Sequence, residues 1–254
     1  MAQPARWPAT QSTQPIARVT MGLALEPEPE PKAVVTEGAV TEGAGTGVAG
    51  LILTGGRSVR MGRDKASLII GGVPLAKRLG ALLTAATQPA LEVGPGWSGL
   101  ATTEPDPGEG PLVALAAGWR WLEGLGHDGP VIVIATDLPR LTIGVLTWLA
   151  GRAETVSVVP LVDGRRQPLC ARWCPADLDR AVELAAAGER SVGAALGSDT
   201  AFLGEAAWGA IAPAEAFRDV DRPEDLTGLE HSDAIGNLAG REDSGSTGDL
   251  AQSP

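Results

Sequence analysis

Short, wholly apolar runs alternate along this chain with longer stretches whose apolar residues recur every three or four positions. Val48 to Leu53 is continuously apolar, as a strand buried on both faces of a parallel sheet must be. Leu68-Ile69-Ile70 predicts a short strand, Gly71-Gly72 a turn, and Pro74 opens a helix to about Ala86 with Leu75, Leu79, Leu82 and Leu83 on one face. Ala90 to Val93 predicts another strand. Pro111 begins a helix to about Leu125, and Val131 to Ala135 is a second apolar strand ending just before Asp137. Leu141 to Ala150 predicts a helix, Thr155 to Pro160 and Pro168 to Trp173 predict strands, Pro175 opens a helix to Ala187, and Pro223 opens a last short one. Strands alternating with helices over this length predict one α/β domain with a mostly parallel sheet and helices on both faces.

The pattern also sets boundaries. Residues 1–46 are rich in Pro, Ala, Thr and Glu and include Glu26-Pro27-Glu28-Pro29-Glu30-Pro31, which cannot form a helix and is expected to be extended and solvated. Residues 231–254 turn polar and glycine-rich and are expected to be loose. The folded domain is expected over 47–230.

Hydrophobic residues make up 44% of the chain and charged residues 20%, a composition that suits a soluble globular protein. A net charge of −11 argues against nucleic acid or an anionic membrane as a general partner. Residues 47–230 hold 22 of the 31 acids and 16 of the 20 bases, so the domain itself carries about −6. Yet Arg57, Arg60, Arg63 and Lys65 crowd into nine residues with one acid, Asp64: a local anion site on an acidic protein. Cys170 and Cys174 lie too close for an easy disulfide and are expected to be reduced thiols, as in the cytoplasm. No apolar run approaches the roughly 20 residues of a membrane span, and the start lacks a signal-peptide layout.

Three segments carry candidate chemistry. The first is Leu53-Thr54-Gly55-Gly56-Arg57-Ser58-Val59-Arg60-Met61-Gly62-Arg63-Asp64-Lys65. Gly55 and Gly56 directly after a buried strand let backbone N–H groups approach a ligand, and Arg57, Arg60 and Lys65 supply charge for a triphosphate. Gly62 is followed by Arg-Asp, so this is not a Walker A loop. The second is Asp137, a lone carboxylate beyond a strand tip, suited either to Mg²⁺ or to capping a helix. The third is Asp219-Val220-Asp221, extended, where Asp219 or Asp221 could complete a metal site, bind a ribose or pterin group, or cap the helix at Pro223. Gly110-Pro111-Leu112 offers backbone amides at a helix start. Asp163-Gly164-Arg165-Arg166-Gln167-Pro168 reads first as a hairpin turn, with Arg166 and Gln167 as the alternative substrate contacts. No Ser/His/Asp or Cys/His set supports a protein nucleophile.

Together these segments resemble the MobA family of molybdenum cofactor guanylyltransferases, within the Rossmann-like nucleotidyltransferases. The resemblance covers nearly all of 48–230 and rests on Leu53 to Lys65, Gly110-Pro111-Leu112, Asp137-Leu138-Pro139, Gln167-Pro168-Leu169 and Asp219 to Leu226, in that order. It implies transfer of GMP from GTP to molybdopterin with release of pyrophosphate. It implies that Leu53, Gly55 and Gly56 hold the nucleotide through backbone groups, that Arg60 and Lys65 bind its phosphates, and that Asp137 holds Mg²⁺; Thr54 and Arg57 are counted with the nucleotide site, and Asp221 is the candidate second metal ligand. Gly94 stands where some relatives carry Asn, and Glu104 where they carry a nucleotide-contacting Asp ahead of Gly110. Thr54 replaces the more usual Ala, and Asp219 and Asp221 replace Asn residues of some relatives. The resemblance further implies transient contact with cofactor-biosynthesis or acceptor proteins. The same motifs would serve a cytidylyl or sugar-phosphate nucleotidyltransferase, and a catalytically silent nucleotide binder would require Lys65 or Asp137 to be lost.

Overall fold

Residues 47–55, 65–103 and 109–220 are described by the structure, a computed structural model. Strand β1 (Ala49–Leu53) is buried along its whole length, as its continuous apolar sequence requires. A 3₁₀ turn (Lys65–Ser67) and a small hairpin, β2 (Ile69–Ile70) and β3 (Val73–Pro74), lead into helix α1 (Leu75–Ala86). Then come β4 (Ala90–Val93), β5 (Ala101–Thr103), α2 (Pro111–Gly124), β6 (Val131–Ala135) and α3 (Ile143–Ala150). Strands β7 (Val158–Val162), β8 (Arg165–Arg166) and β9 (Cys170–Trp173) precede α4 (Pro175–Ala186), β10 (Ala201–Leu203) and the short α5 (Glu205–Trp208).

Eight of these strands form one sheet in the order β10-β7-β9-β6-β1-β4-β5, with β8 paired to β7. The pairs β1–β4, β1–β6, β4–β5 and β7–β10 are parallel. Strand β9 runs antiparallel to both β6 and β7, so β7 points the same way as β6. The carboxyl ends of β1, β4, β5, β6 and β7 therefore share one edge, where ligands of open α/β sheets bind.

Each face of the sheet is covered by its own apolar cluster. Ile52, Ile132 and Ile134 pack with Leu75, Leu79 and Leu83 of α1 and Val145, Leu146 and Leu149 of α3. Leu51, Leu53, Val131 and Val133 pack with Leu112, Leu115 and Trp119 of α2 and Leu178 of α4. Two glycines set how near the helices come. A Cβ on Gly50 would meet the Thr87 hydroxyl at 2.3 Å and Leu83 Cγ at 2.6 Å, and one on Gly118 would meet Leu51 and Val93 methyls at 2.7 and 2.8 Å. Helices thus press on β1 from both sides at glycine distance.

The elements sit where the apolar pattern puts them, with informative shifts. Strand β7 starts at Val158 and not Thr155. The Arg172 guanidinium takes the Glu154 carbonyl at 2.8 Å, and the Ser157 hydroxyl is committed to Asp177 at 2.7 Å, so the preceding residues bond outside the ladder. Helix α3 starts at Ile143, because Leu141 closes a turn onto the Leu138 carbonyl and Thr142 is extended. The hairpin turn expected over 163–168 is narrower: Asp163 and Gly164, with φ of +50° and +74°, form a two-residue turn, and Arg165 and Arg166 pair back onto β7 as β8. The expectations for 1–46, for the helix at Pro223 and for 231–254 lie outside the described residues. No described helix is long and apolar enough to cross a membrane.

Cys170 and Cys174 are free and buried. Burial, with the Asp137 charge adding, pushes the Cys170 thiol up to about 12. Neither thiol is expected to react with a thiol reagent at pH 8 until the protein is unfolded, which a colorimetric thiol assay checks. Gly118→Val is expected to destabilise the fold by roughly 1–3 kcal/mol through overpacking, and an unchanged thermal midpoint would contradict the close approach of α2.

Candidate functional site

Leu53, the last residue of β1, pairs with Val93 on one side and Ala135 on the other. That register brings three chain exits together at the carboxyl edge: Thr54-Gly55 from β1, Gly94 from β4 and Thr136-Asp137 from β6. The Thr54 N–H donates to the Val93 carbonyl at 3.0 Å. Gly94 has φ of +150°, and a Cβ there would lie 2.0 Å from the Thr54 hydroxyl and 2.8 Å from the Gly55 nitrogen. Only glycine lets the β4 exit cross the β1 exit this closely.

A carboxylate beneath this crossing holds it. Glu92 lies inside β4 with no solvent exposure. Its Oε1 accepts hydrogen bonds from the Thr54 hydroxyl and from the N–H groups of Gly96 and Trp97, both at 2.8 Å. Its Oε2 accepts from the Ser98 N–H at 2.7 Å and the Ser98 hydroxyl at 2.5 Å. Five donors replace the water that a buried charge loses. Motif reading did not single out Glu92. The signal was there: a charged residue within an otherwise apolar strand, Ala90-Leu91-Glu92-Val93, has to be paired.

Asp137 is half-buried in the turn after β6. Its charge acts on the buried Cys170 thiol, and its carbonyl accepts the Val220 N–H at 2.9 Å. Val220 is buried, so the segment carrying Asp219, itself exposed, runs beside the Asp137 turn. Arg78 of α1 donates to the Pro139 carbonyl, and burial lowers its pKa from the usual arginine range. Arg78 thereby ties the Asp137-Leu138-Pro139 turn to α1. Mg²⁺ takes one or two protein carboxylates and completes its octahedron with phosphate oxygens and water, so a single aspartate at this strand tip fits that ion.

Gly110 stands directly before Pro111, the first residue of α2, with φ of +94°. It packs on Arg190, whose guanidinium pairs with Glu109 at 2.5 Å. Sequence reasoning missed Arg190 because it lies 80 residues downstream in a loop after α4. Beyond β7, Arg166 stacks 4.3 Å over the Phe202 ring, and both Arg165 and Arg166 are exposed at the same edge. Lys65 opens the 3₁₀ turn ahead of α1. Gly56, Arg57, Arg60, Glu104 and Asp221 lie outside the described residues. The described part of the site therefore joins Leu53, Thr54, Gly55, Gly94 and Asp137.

The chain is similar to known proteins in sequence and in fold. Residues 50–200 match the family model of the MobA-like NTP transferase domain. The chain is 35% identical over 194 residues to a molybdenum cofactor guanylyltransferase of Cereibacter sphaeroides, covering 71% of this chain and 94% of that protein. It is 34% identical over 190 residues to one of Rhodobacter capsulatus, covering 72% and 95%. The fold is shared with molybdopterin-guanine dinucleotide biosynthesis protein A of Archaeoglobus fulgidus, at a TM-score of 0.59 and 18% identity over 72% of this chain and 96% of that one. With the matched segment running from β1 to the start of β10, the chain belongs to the MobA-like NTP transferase family of nucleotidyltransferases.

Proposed function

We propose that this protein is a molybdenum cofactor guanylyltransferase, moving GMP from GTP onto the terminal phosphate of molybdopterin and releasing pyrophosphate. The observation that carries the reading is the register of Leu53 against Ala135, which sets the glycine exit of β1 beside Asp137. A nucleotide held by the first has its phosphates within reach of an ion held by the second. The guanylyl assignment draws on the names of the relatives.

In this reading the backbone of Leu53, Thr54, Gly55 and Gly56 holds the nucleotide, with Gly94, Glu104 and Gly110 around it. Arg57, Arg60 and Lys65 bind the phosphates. Asp137 is the metal ligand, and Asp221 the second, a role supported by the hydrogen bond between Val220 and Asp137. A phosphate oxygen of molybdopterin forms the new bond to the α-phosphorus as the bond to the β-phosphate oxygen breaks. That oxygen is already anionic, so the chain needs no nucleophile of its own and no general base; positioning and charge compensation suffice. Lys65 and the arginines stabilise the departing pyrophosphate. Mg²⁺, when bound, offsets charge at the α-phosphoryl group. The reaction is assigned to the cytoplasm, where GTP is available.

Incubation with GTP, Mg²⁺ and molybdopterin is expected to yield pyrophosphate and a product heavier than molybdopterin by one GMP residue; CTP in its place tests the cytidylyl alternative. Lys65→Ala and Asp137→Asn are each expected to lower kcat by about 10²–10³-fold or more with unchanged circular dichroism. Wild-type turnover in either variant would overturn the assignment. Chelation is expected to stop turnover, and added Mg²⁺ to restore it.

A further inference from the structure

We infer that Thr54 and Glu92 form a positioning pair that fixes the nucleotide-binding backbone before nucleotide arrives, so that this pair sets affinity for the nucleoside triphosphate and not the rate of the chemical step. The inference rests on the function proposed above.

A site that binds through backbone groups has no flexible side chain to adjust, so its affinity depends on the backbone already being in place. Thr54, still buried, and Gly55, exposed, leave β1 at the carboxyl edge of the sheet, and Thr54 is held there by two contacts. Its N–H bonds to the Val93 carbonyl, and its hydroxyl bonds to the buried Glu92 carboxylate. The first contact only continues the β-ladder. The second fixes the rotation of the residue that precedes Gly55.

The same carboxylate fixes the opposite wall. Gly96, Trp97 and Ser98 direct three successive N–H groups onto Glu92, which curls the chain after Gly94 back under the crossing. The Gly94 carbonyl is itself held by the Thr102 hydroxyl at 2.6 Å, and the Gly94 N–H by the Thr103 carbonyl at 2.8 Å. One fully buried charge thus holds both sides of the gap between the β1 and β4 exits. Glu92 is saturated with protein donors, so it neither touches substrate nor binds the metal ion. Its role is positional. Because a hydrogen bond to a charged group is worth more than a neutral one, losing the Thr54 hydroxyl frees the β1 exit without collapsing the loop, whose four donors all stay on Glu92.

The test compares Thr54→Val, which removes the hydroxyl at nearly constant volume, with Thr54→Ser, which keeps it. Calorimetric binding of GTP with Mg²⁺ and steady-state kinetics are the readouts. In Thr54→Val, Kd and KM for GTP are expected to rise about tenfold, equivalent to about 1.4 kcal/mol, with kcat within about twofold of wild type. Thr54→Ser is expected to match wild type in all three. Glu92→Gln, which turns one acceptor into a donor facing N–H groups, is expected to exceed Thr54→Val in its effect on KM if it folds. A folded Thr54→Val protein with wild-type Kd and KM, or one whose kcat falls while KM holds, would overturn the inference alone. A wild-type protein that binds no nucleoside triphosphate would overturn the proposed function itself.

Discussion

Strand β1 has no free face, and that constraint orders the rest of the molecule. Leu51 and Leu53 point into the cluster under α2, and Ile52 into the one under α1. In an apolar strand buried on both sides, hydrophobicity alone does not fix the register, since a slip by one residue exchanges one apolar face for another. Gly50 does fix it. The Thr87 hydroxyl and Leu83 sit where its Cβ would be, so a slip would drive Ala49 or Leu51 into α1. Because Gly50 cannot move, Leu53 must end opposite Val93 and Ala135, and the chain exits that follow must meet at one edge.

This explains what could be read in advance and what could not. The long elements were legible because burial on two faces writes continuous apolar runs at β1 and β6, and because prolines mark the starts of α1, α2 and α4. The Leu53-to-Lys65 segment and Asp137 were legible as motifs, and the family comparisons agree with the resemblance they carried. Strands β5 and β10 were not, because Ala101-Thr102-Thr103 and Ala201-Phe202-Leu203 are too short to display a period. Their existence depends on neighbours, β4 and β7, that are remote from any local pattern. The start of β7 escaped for a related reason: Arg172 and Asp177 divert the chain before Val158 through side-chain contacts that periodicity cannot express.

The charges divide in the same way. By composition the protein is simply acidic, and −11 does not say which carboxylates do chemistry. The structure separates two acids that lie near the same edge. Glu92 has its oxygens filled by Thr54, Gly96, Trp97 and Ser98 and serves the architecture. Asp137 is half-buried in the turn after β6, where its carbonyl takes the Val220 N–H and the next carbonyl but one takes Arg78. Acids that look alike in sequence thus sit in different surroundings: Glu92 is fully buried within β4, and Asp137 is half-buried in a turn at the sheet's edge.

The nucleotide site proposed for the β1 exit would be built from backbone groups, and that sets a demand on the chain. Side-chain binding tolerates some play in the chain, because long side chains adjust; backbone binding does not, and it needs the chain to be locked from beneath. Packing locks β1 along its length, and Leu53 is its last residue in the apolar clusters. Beyond that point Thr54 is held by polar contacts to Val93 and Glu92, and a polar contact this close to the core must be fully satisfied to be stable. A buried carboxylate surrounded by N–H and hydroxyl donors meets that condition better than a neutral acceptor, because each donor is held by charge. The cost of burying Glu92 is therefore also what extends the rigidity of the core one residue past its apolar limit, to the glycine where a ligand can be met.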